Sequence, residues 1–349
     1  MPARERCRAS KMTGVPESDV GVDTVRWGVL GAAKIAREFV LPAIHMSQGG
    51  VFAAIASRSS QRAESLCGPY GDVTVHGSYD ALLGDAAVDA VYIPLANAQH
   101  VEWTVKALRA GKAVLCEKPI ALDATEIDRL IALRDETSLL AAEAFMVVHH
   151  PQWHRVRELI ASEAIGRLRQ IDGAFSFFND DPANIRNVAE LGGGALRDIG
   201  VYPVVTARFA TGREPEHVRA EIEWDRGIDS FARVWCDFGG VRLDFYVSMR
   251  LGQRQQMVFH GEEGWLRVAT PFNAGLYGED VLELRDTSGN YRIERFPWVD
   301  QYRLQIEAFN RSLLQGVEFP CTLEFSRGNQ AVIDAIYGSD AANGERVTV

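Results

Sequence analysis

Residues 25–36 read VRWGVLGAAKIA, a short apolar run that stops at Gly31 and passes directly into helical spacing. Beyond Gly31, Ile35, Phe39 and Ile44 fall near one face of a helix. The pattern then repeats. VFAAIAS (51–57) is a second apolar run, followed by a polar helical stretch, SQRAESLCGPYG; VDAVYIPL and KAVLCEKP are further short runs of strand type. HVEWTVKALRAG precedes the last of them, with Gly111 at the position after a helix where left-handed backbone is needed. Strands apolar on both faces, alternating with helices, predict a doubly wound parallel sheet.

After about residue 145 the texture changes. QIDGAFSFF, VRAEIEWD, FARVWCDF, VRLDFYVSM, QMVFHG, GWLRVA, VLELRD and YRIERF read as strands, many alternating with period two. Tight turn signals separate them at Gly239-Gly240, Glu262-Glu263-Gly264 and Ser288-Gly289-Asn290. Four helical stretches (HRVRELIASE, GALRDIGVYPVVTARFA, QYRLQIEAFNRSLLQG, SRGNQAVIDAIYGS) are expected to cover the other face of this sheet. The predicted class is therefore α/β: an N-terminal Rossmann doubly wound parallel sheet over 25–145, and a C-terminal α+β domain with a large open, mostly antiparallel sheet over 146–349. Residues 1–24 read as a flexible tail, with Met1 or Met12 as the start.

Bulk composition narrows the classes of function. A chain of 349 residues suits two packed domains, and 47% hydrophobic with 24% charged residues is that of a soluble globular protein. The net charge of −10 lacks a basic footprint for nucleic acid. No apolar run approaches the ~20 residues that cross a bilayer. Five scattered cysteines without a C-x-x-C pair fit a reducing, cytoplasmic setting better than a disulfide framework.

The turn at Gly31 sits where a dinucleotide fingerprint belongs, with helix N–H groups facing a pyrophosphate. Ala33 and Ala36 occupy positions where glycine is usual, so the stretch by itself is a weak signal. The second strand ends in Ser57-Arg58-Ser59-Ser60, with Arg62 close behind. An acid there would accept from a ribose 2′-OH and repel a 2′-phosphate, whereas hydroxyls and a guanidinium fork would bind one. NADP is thus expected over NAD. Pro94, Leu95, Asn97 and His100 end the next strand, and Glu117-Lys118-Pro119 ends the one after. Charged groups at such strand ends point at the ligand crevice, and Pro119 holds Lys118 away from helical backbone angles. Cofactor contact is therefore assigned to Gly31, Ala33, Lys34, Ile35, Ser57, Arg58, Arg62, Pro94, Leu95, Asn97, His100, Glu117 and Lys118.

Taken together and in order, GVLGAAKIA, SRS, IPLANAQH, AGKAVLCEKP, EAFMVVHHPQ and GGGALRDIGVYPV resemble the glucose–fructose oxidoreductase, inositol dehydrogenase and MocA family, from about residue 25 to the C-terminus. The resemblance implies Lys118 as the active-site lysine beside nicotinamide and substrate, and assembly into a homodimer or homotetramer through the C-terminal sheet. It places Asp198 and Tyr202 on the catalytic face, in the tyrosine branch similar to dihydrodiol and NADP-dependent aldose dehydrogenases. Hydride transfer at a carbon of a sugar or cyclic polyol follows. Tyr202 would be general acid/base, brought toward working pH by the Lys118 ammonium, and Asp198 would orient Tyr202 or a substrate hydroxyl. Arg186 is a candidate substrate contact. Two alternatives stand beside this reading: a keto-sugar reductase of modified-sugar synthesis, and a non-catalytic NADP-sensing regulator.

Other candidates weigh less. His150 and His154 could bind a metal, but no acid or cysteine cluster accompanies them, and no metal is assigned. Val147-Val148-His149 depart from the aromatic-Arg-aromatic form usual in the family, which puts the local pocket wall in question. Trp153, Trp265 and Trp298 are possible lining for a sugar or aromatic pocket, with core packing as the ordinary alternative.

Overall fold

A computed structural model describes residues 24–349; the tail and the choice between Met1 and Met12 lie outside them. Six parallel strands form the first sheet: β1 (Val25–Leu30), β2 (Gly50–Ala56), β3 (Thr74–His76), β4 (Ala90–Ile93), β5 (Ala113–Cys116) and β6 (Ala141–Glu143). Their order is β3-β2-β1-β4-β5-β6. The order reverses between β1 and β4, which opens a crevice beyond the carboxyl ends of those strands. β4 and β5 are buried on both faces, as their unbroken apolar runs require, and β1 is buried except at Arg26. The three-residue strands β3 and β6 carry too few residues for a periodic signal, and the sequence reading did not separate them.

Nine strands build the second sheet: β7 (Leu168–Phe178), β8 (His217–Asp225), β9 (Ile228–Asp237), β10 (Arg242–Ser248), β11 (Arg250–Gly261), β12 (Gly264–Val268), β13 (Val281–Asp286), β14 (Tyr291–Arg295) and β15 (Val347–Thr348). Their order is β14-β13-β12-β11-β7-β10-β9-β8-β15, antiparallel except for the β7–β10 pair. One face carries Ile171, Phe175, Phe245, Met257, Phe259 and Leu266 into the core. Helices α6 (Pro151–Ala161) and α7 (Val201–Thr211) pack on it, Trp153 of α6 lying edge-on to Phe259.

One helix lies elsewhere than expected. Gln301–Gln315, assigned above to the second sheet, packs against the first. The buried Trp27 indole of β1 donates to Asn310 Oδ1 at 2.9 Å, and Asn310 Nδ2 donates to the Gln48 carbonyl at 2.9 Å. An amphipathic pattern states that one face is buried, not which sheet buries it. The helix Leu323–Ala341 meets both β8 and the helix Ala124–Thr137 that follows β5. Among the described residues no helix is long and apolar enough to cross a membrane.

Candidate active site

A cavity of about 530 Å³ lies at the carboxyl ends of β1, β4 and β5, walled on its far side by the second sheet. Gly31 turns the chain out of β1 with φ +115°, a conformation costly for any side chain, and a Cβ there would meet Leu95 at 3.1 Å. Its N–H donates to the Ala56 carbonyl at 2.8 Å, so the ends of β1 and β2 lie side by side. Ala33, Lys34 and Ile35 line the cavity beyond the turn. Lys34 is largely exposed and only loosely paired with Glu38, at 3.8 Å. The helix then widens into a π-turn over Ala36–Val40, which brings Glu38 and Phe39 to the same cavity. π-turns recur at functional sites.

At the end of β2, the buried Ser57 hydroxyl accepts from Ser59 N–H at 3.2 Å, and the Ser59 hydroxyl caps the helix Ser60–Cys67. Arg58 and Arg62 are exposed and lie outside the cavity wall, at the flank of the Gly31 turn. The position suits the adenosine end of a dinucleotide, and no carboxylate occupies Ser57–Ser60.

Pro94, Leu95, Asn97 and His100 all touch the cavity, but two of them hold the architecture. Asn97 Nδ2 donates to the Gly192 carbonyl at 2.9 Å, joining the first sheet's loop to the Gly-rich turn. His100 was expected to aim a polar side chain into the crevice. Instead its ring is buried, with Nδ1 at 2.7 Å from the Pro119 carbonyl and Nε2 at 3.0 Å from the Leu95 carbonyl. It ties the β5 loop to the β4 loop.

The charges of Glu117-Lys118 are matched on every side. The Tyr92 hydroxyl donates to Glu117 Oε1 at 2.6 Å, and burial pushes the Glu117 carboxyl up against the opposing pull of Lys118. Lys118, at the cis bond to Pro119, donates from Nζ to the Asp198 carbonyl (2.6 Å) and to Asp198 Oδ1 (2.9 Å). Arg186 Nε donates to Asp198 Oδ2 at 2.6 Å. Burial alone would raise the Asp198 acid; the guanidinium and the ammonium outweigh it and hold Asp198 well below the usual carboxylate range. Asp198 therefore anchors two cations, and its hydrogen bonds go to them and not to Tyr202. Two of the three Lys118 donors are taken, which leaves one.

Tyr202 lies beside this cluster, with the Lys118 nitrogen 5.2 Å from its ring centroid. Its hydroxyl contacts only the Met146 sulfur, at 3.6 Å. The expected lowering of its pKa is overturned. Burial, with Tyr302, Glu117 and Asp198 nearby, pushes the phenol well above 10 against the opposing pull of the Arg186 guanidinium.

The local backbone explains how these groups converge. Gly192 and Gly194 have φ of +77° and +130°, and a Cβ on Gly193 or Gly194 would strike the Arg186 backbone or the Asp229 carboxylate. A second π-turn, Leu196–Gly200, carries Asp198 and leads into α7 and Tyr202.

Sequence reasoning missed much of the far wall. Phe175 and Phe177 of β7, Gln253 and Gln255 of β11, Asn273, Leu276 and Tyr302 line it, with Tyr302 stacked on Phe39 at 4.9 Å. The three proposed tryptophans do not: Trp153 is core, Trp265 is half-buried on β12, and Trp298 is almost fully exposed. Val147, Val148 and His149, which depart from the family pattern, face the core, and burial pulls His149 down to about 3. His150 caps α6 through Nδ1, and the His154 ring packs on Phe209.

Comparison with known proteins agrees with this geometry. Residues 25–145 match the model described as oxidoreductase family, NAD-binding Rossmann fold, and residues 153–267 match the GFO/IDH/MocA C-terminal domain. The chain belongs to the Gfo/Idh/MocA oxidoreductase family, as its motifs suggested, and a nicotinamide dinucleotide is the redox partner of such a fold. It is 35% identical to a dTDP-3,4-didehydro-2,6-dideoxy-α-D-glucose 3-reductase of Actinomadura kijaniata, over 92% of this chain and 97% of that protein. It is likewise 35% identical to D-xylose 1-dehydrogenase (NADP(+)) 2 of Haloferax volcanii, over 90% and 96%. The solved structure of a 3-ketoreductase from Actinomadura kijaniata in complex with NADP and TDP-benzene superposes with a TM-score of 0.85 at 33% identity, covering 90% of this chain and 98% of that one.

Proposed function

We propose that the protein is an NADP-dependent oxidoreductase acting at a carbinol or carbonyl carbon of a sugar or cyclic polyol. The observation that carries the reading is the enclosed Lys118–Asp198 pair, joined by the half-exposed Arg186, beside a phenol with no strong partner, at the end of β5. NADP fits the Gly31 turn, the Ala33–Ile35 segment and the acid-free end of β2 with Arg58 and Arg62; the bound forms of the relatives point the same way. When bound, the dinucleotide exchanges a hydride with the substrate carbon.

The chain's own groups handle the oxygen. Tyr202 is protonated across the ordinary pH range and donates its proton to the oxygen as negative charge develops there. The remaining Lys118 donor stabilises that oxygen, in a pocket where water screens little. Asp198 and Arg186 hold the Lys118 nitrogen in place. In the oxidative direction the same groups act in reverse: Tyr202 first releases its proton to solvent and then takes the proton of the substrate hydroxyl. A phenol held above 10 rests in its protonated form, the form from which carbonyl reduction starts, and together with the 3-reductase relatives this supports a second reading, in which reduction of a keto-sugar is the working direction.

Absorbance of the reduced nicotinamide, followed with NADP against aldoses, inositols and cyclic diols and with NADPH against keto-sugars, tests both. The reading predicts turnover that Lys118→Ala lowers by about a hundredfold or more; no turnover in either direction would remove it. The outer face of the second sheet, with half-exposed Phe231, Trp235 and Tyr246, supports homodimer or homotetramer assembly. Sedimentation of the native chain and of Trp235→Glu reads that directly. The buried thiols Cys116, Cys236 and Cys321 support a reducing, cytoplasmic setting.

A further inference from the structure

The far half of the cavity has a chemical character that the catalytic cluster does not set. Its floor is Phe175 and Phe177, adjacent aromatic positions on β7. Its wall is made of neutral amides. Gln255 is buried and locked to Asn273 by two hydrogen bonds, Nε2 to Oδ1 at 2.6 Å and Asn273 N–H to Oε1 at 3.1 Å, while Gln253 is exposed toward the mouth. Its rim is apolar: Ile185 is 46% and Leu276 is 58% exposed, large hydrophobic side chains that water would otherwise wet.

Charge in this half is balanced before any ligand arrives. Lys118 and Arg186 are the cations lining it, and both bond Asp198, with Glu117 the second carboxylate of the group. Two positive and two negative side chains sum to zero. The segment between the lining residues Phe177 and Ile185 adds Asp180 and Asp181, both exposed. An anionic ligand entering here would meet a side-chain group with no net positive charge, in which Lys118 and Arg186 both already bond the Asp198 carboxylate. Binding a phosphate favours cations whose charge is not shared with a carboxylate.

Resting on the oxidoreductase reading above, we infer that the substrate is an uncharged hydroxylated ring with an apolar substituent, and that Phe177, Ile185 and Leu276 form the subsite for that substituent. The amides Gln253, Gln255 and Asn273 present both donors and acceptors to hydroxyls. Sugar C–H surfaces and a methyl group sit against Phe177 and the aliphatic rim. A nucleoside diphosphate sugar, the substrate class named for one group of relatives, is disfavoured by the same wall.

The test compares rings that differ only at one carbon. In the gluco and galacto series, 6-deoxy aldose, parent aldose and aldose 6-phosphate present a methyl, a hydroxyl and a dianion at the same place. kcat/KM is measured with NADP for each, and thermal shifts of the NADP-loaded protein are recorded with the same compounds and with dTDP. The expected order is deoxy above parent by about tenfold, with the phosphate weaker by at least another tenfold, and no shift from dTDP. Leu276→Asp and Ile185→Asp, both at exposed positions, erase the preference for the deoxy sugar and leave the KM for NADP unchanged. A dTDP shift at micromolar concentration, or preference for the phosphate, overturns the inference while the hydride-transfer reading stands. Absence of turnover with every sugar fails that reading instead, and the thermal shifts still decide whether the subsite prefers neutral or anionic ligands.

Discussion

Two strand ends in the first sheet carry basic residues, and they treat them in opposite ways. At the end of β5, Lys118 is only 11% exposed and its partners come from the protein itself. At the end of β2, Arg58 and Arg62 stand in solvent. A buried charge must be paired within the fold, because an unmatched one costs several kcal/mol. An exposed guanidinium costs nothing to leave waiting. The first arrangement prepares a group for chemistry, where its position matters in the transition state. The second prepares affinity for an anion that arrives with the cofactor.

Substitution at the two ends should therefore separate into rate and affinity. Lys118→Ala removes the ammonium and leaves Asp198 with Arg186 alone. The expected outcome is a fall in kcat of about 10²–10³, the range for losing one preorganised donor to a developing oxyanion, with little change in the KM for NADP. Steady-state kinetics at saturating sugar reads it. An effect confined to KM would break the comparison. Arg58→Ala should do the reverse: KM for NADP rises about ten- to a hundredfold, as expected for a charged hydrogen bond worth 1.5–3 kcal/mol, while kcat and the KM for NAD hold. Equal effects on the two nicotinamides would show that Arg58 does not meet the 2′-phosphate.

How much of this was legible in the sequence follows from where each signal resides. The first sheet was readable because VYI and AVLC are buried on both faces and leave unbroken apolar runs, and because VRWGVL and VFAAIA are apolar throughout but for Arg26. Lys118 was readable because a charge beside Pro119, directly after such a run, needs a reason. The Lys118–Asp198 pair spans 80 positions, and the two helix turns that aim the site are π-turns, which no periodicity reports. Tyr302 comes from a helix whose apolar face could have covered either sheet. The direction of the Tyr202 shift depends on burial and on the neighbouring Tyr302, Glu117 and Asp198, none of which is visible in a motif.

The requirement to match buried charge extends behind the β5 end, and there the cost is visible in pH. Glu143 at the end of β6 accepts from Ile120 N–H at 2.9 Å, and burial pushes its acid from 4.5 up to about 7. Because the folded-state value is raised, the protonated acid stabilises the fold fully below about pH 4.5, and that contribution is lost as pH rises through 7. Glu143→Gln keeps an acceptor for Ile120 and cannot ionise. Urea unfolding should find the variant gaining on the native chain between pH 5 and pH 8 by up to about 3 kcal/mol, the free energy of that shift. A gap independent of pH would mean that Glu143 does not titrate in this window.

The smallest effect belongs to Asp229, which grips the turn that carries Asp198. Its Oδ2 accepts from Leu196 N–H at 2.6 Å and its Oδ1 from the Tyr337 hydroxyl at 2.8 Å; burial pushes its acid up to about 6 in spite of both. Above pH 6 the carboxylate is charged and the Tyr337 bond is charge-assisted; below it the acid is neutral and the bond is an ordinary one. Tyr337→Phe should therefore cost about 1–2 kcal/mol of stability at pH 8 and less at pH 5. It should also lower kcat a few-fold, since the Leu196 turn positions Asp198, and Asp198 positions Lys118. A loss of stability equal at both pH values would mean that the Tyr337 hydroxyl bond does not depend on the charge of Asp229.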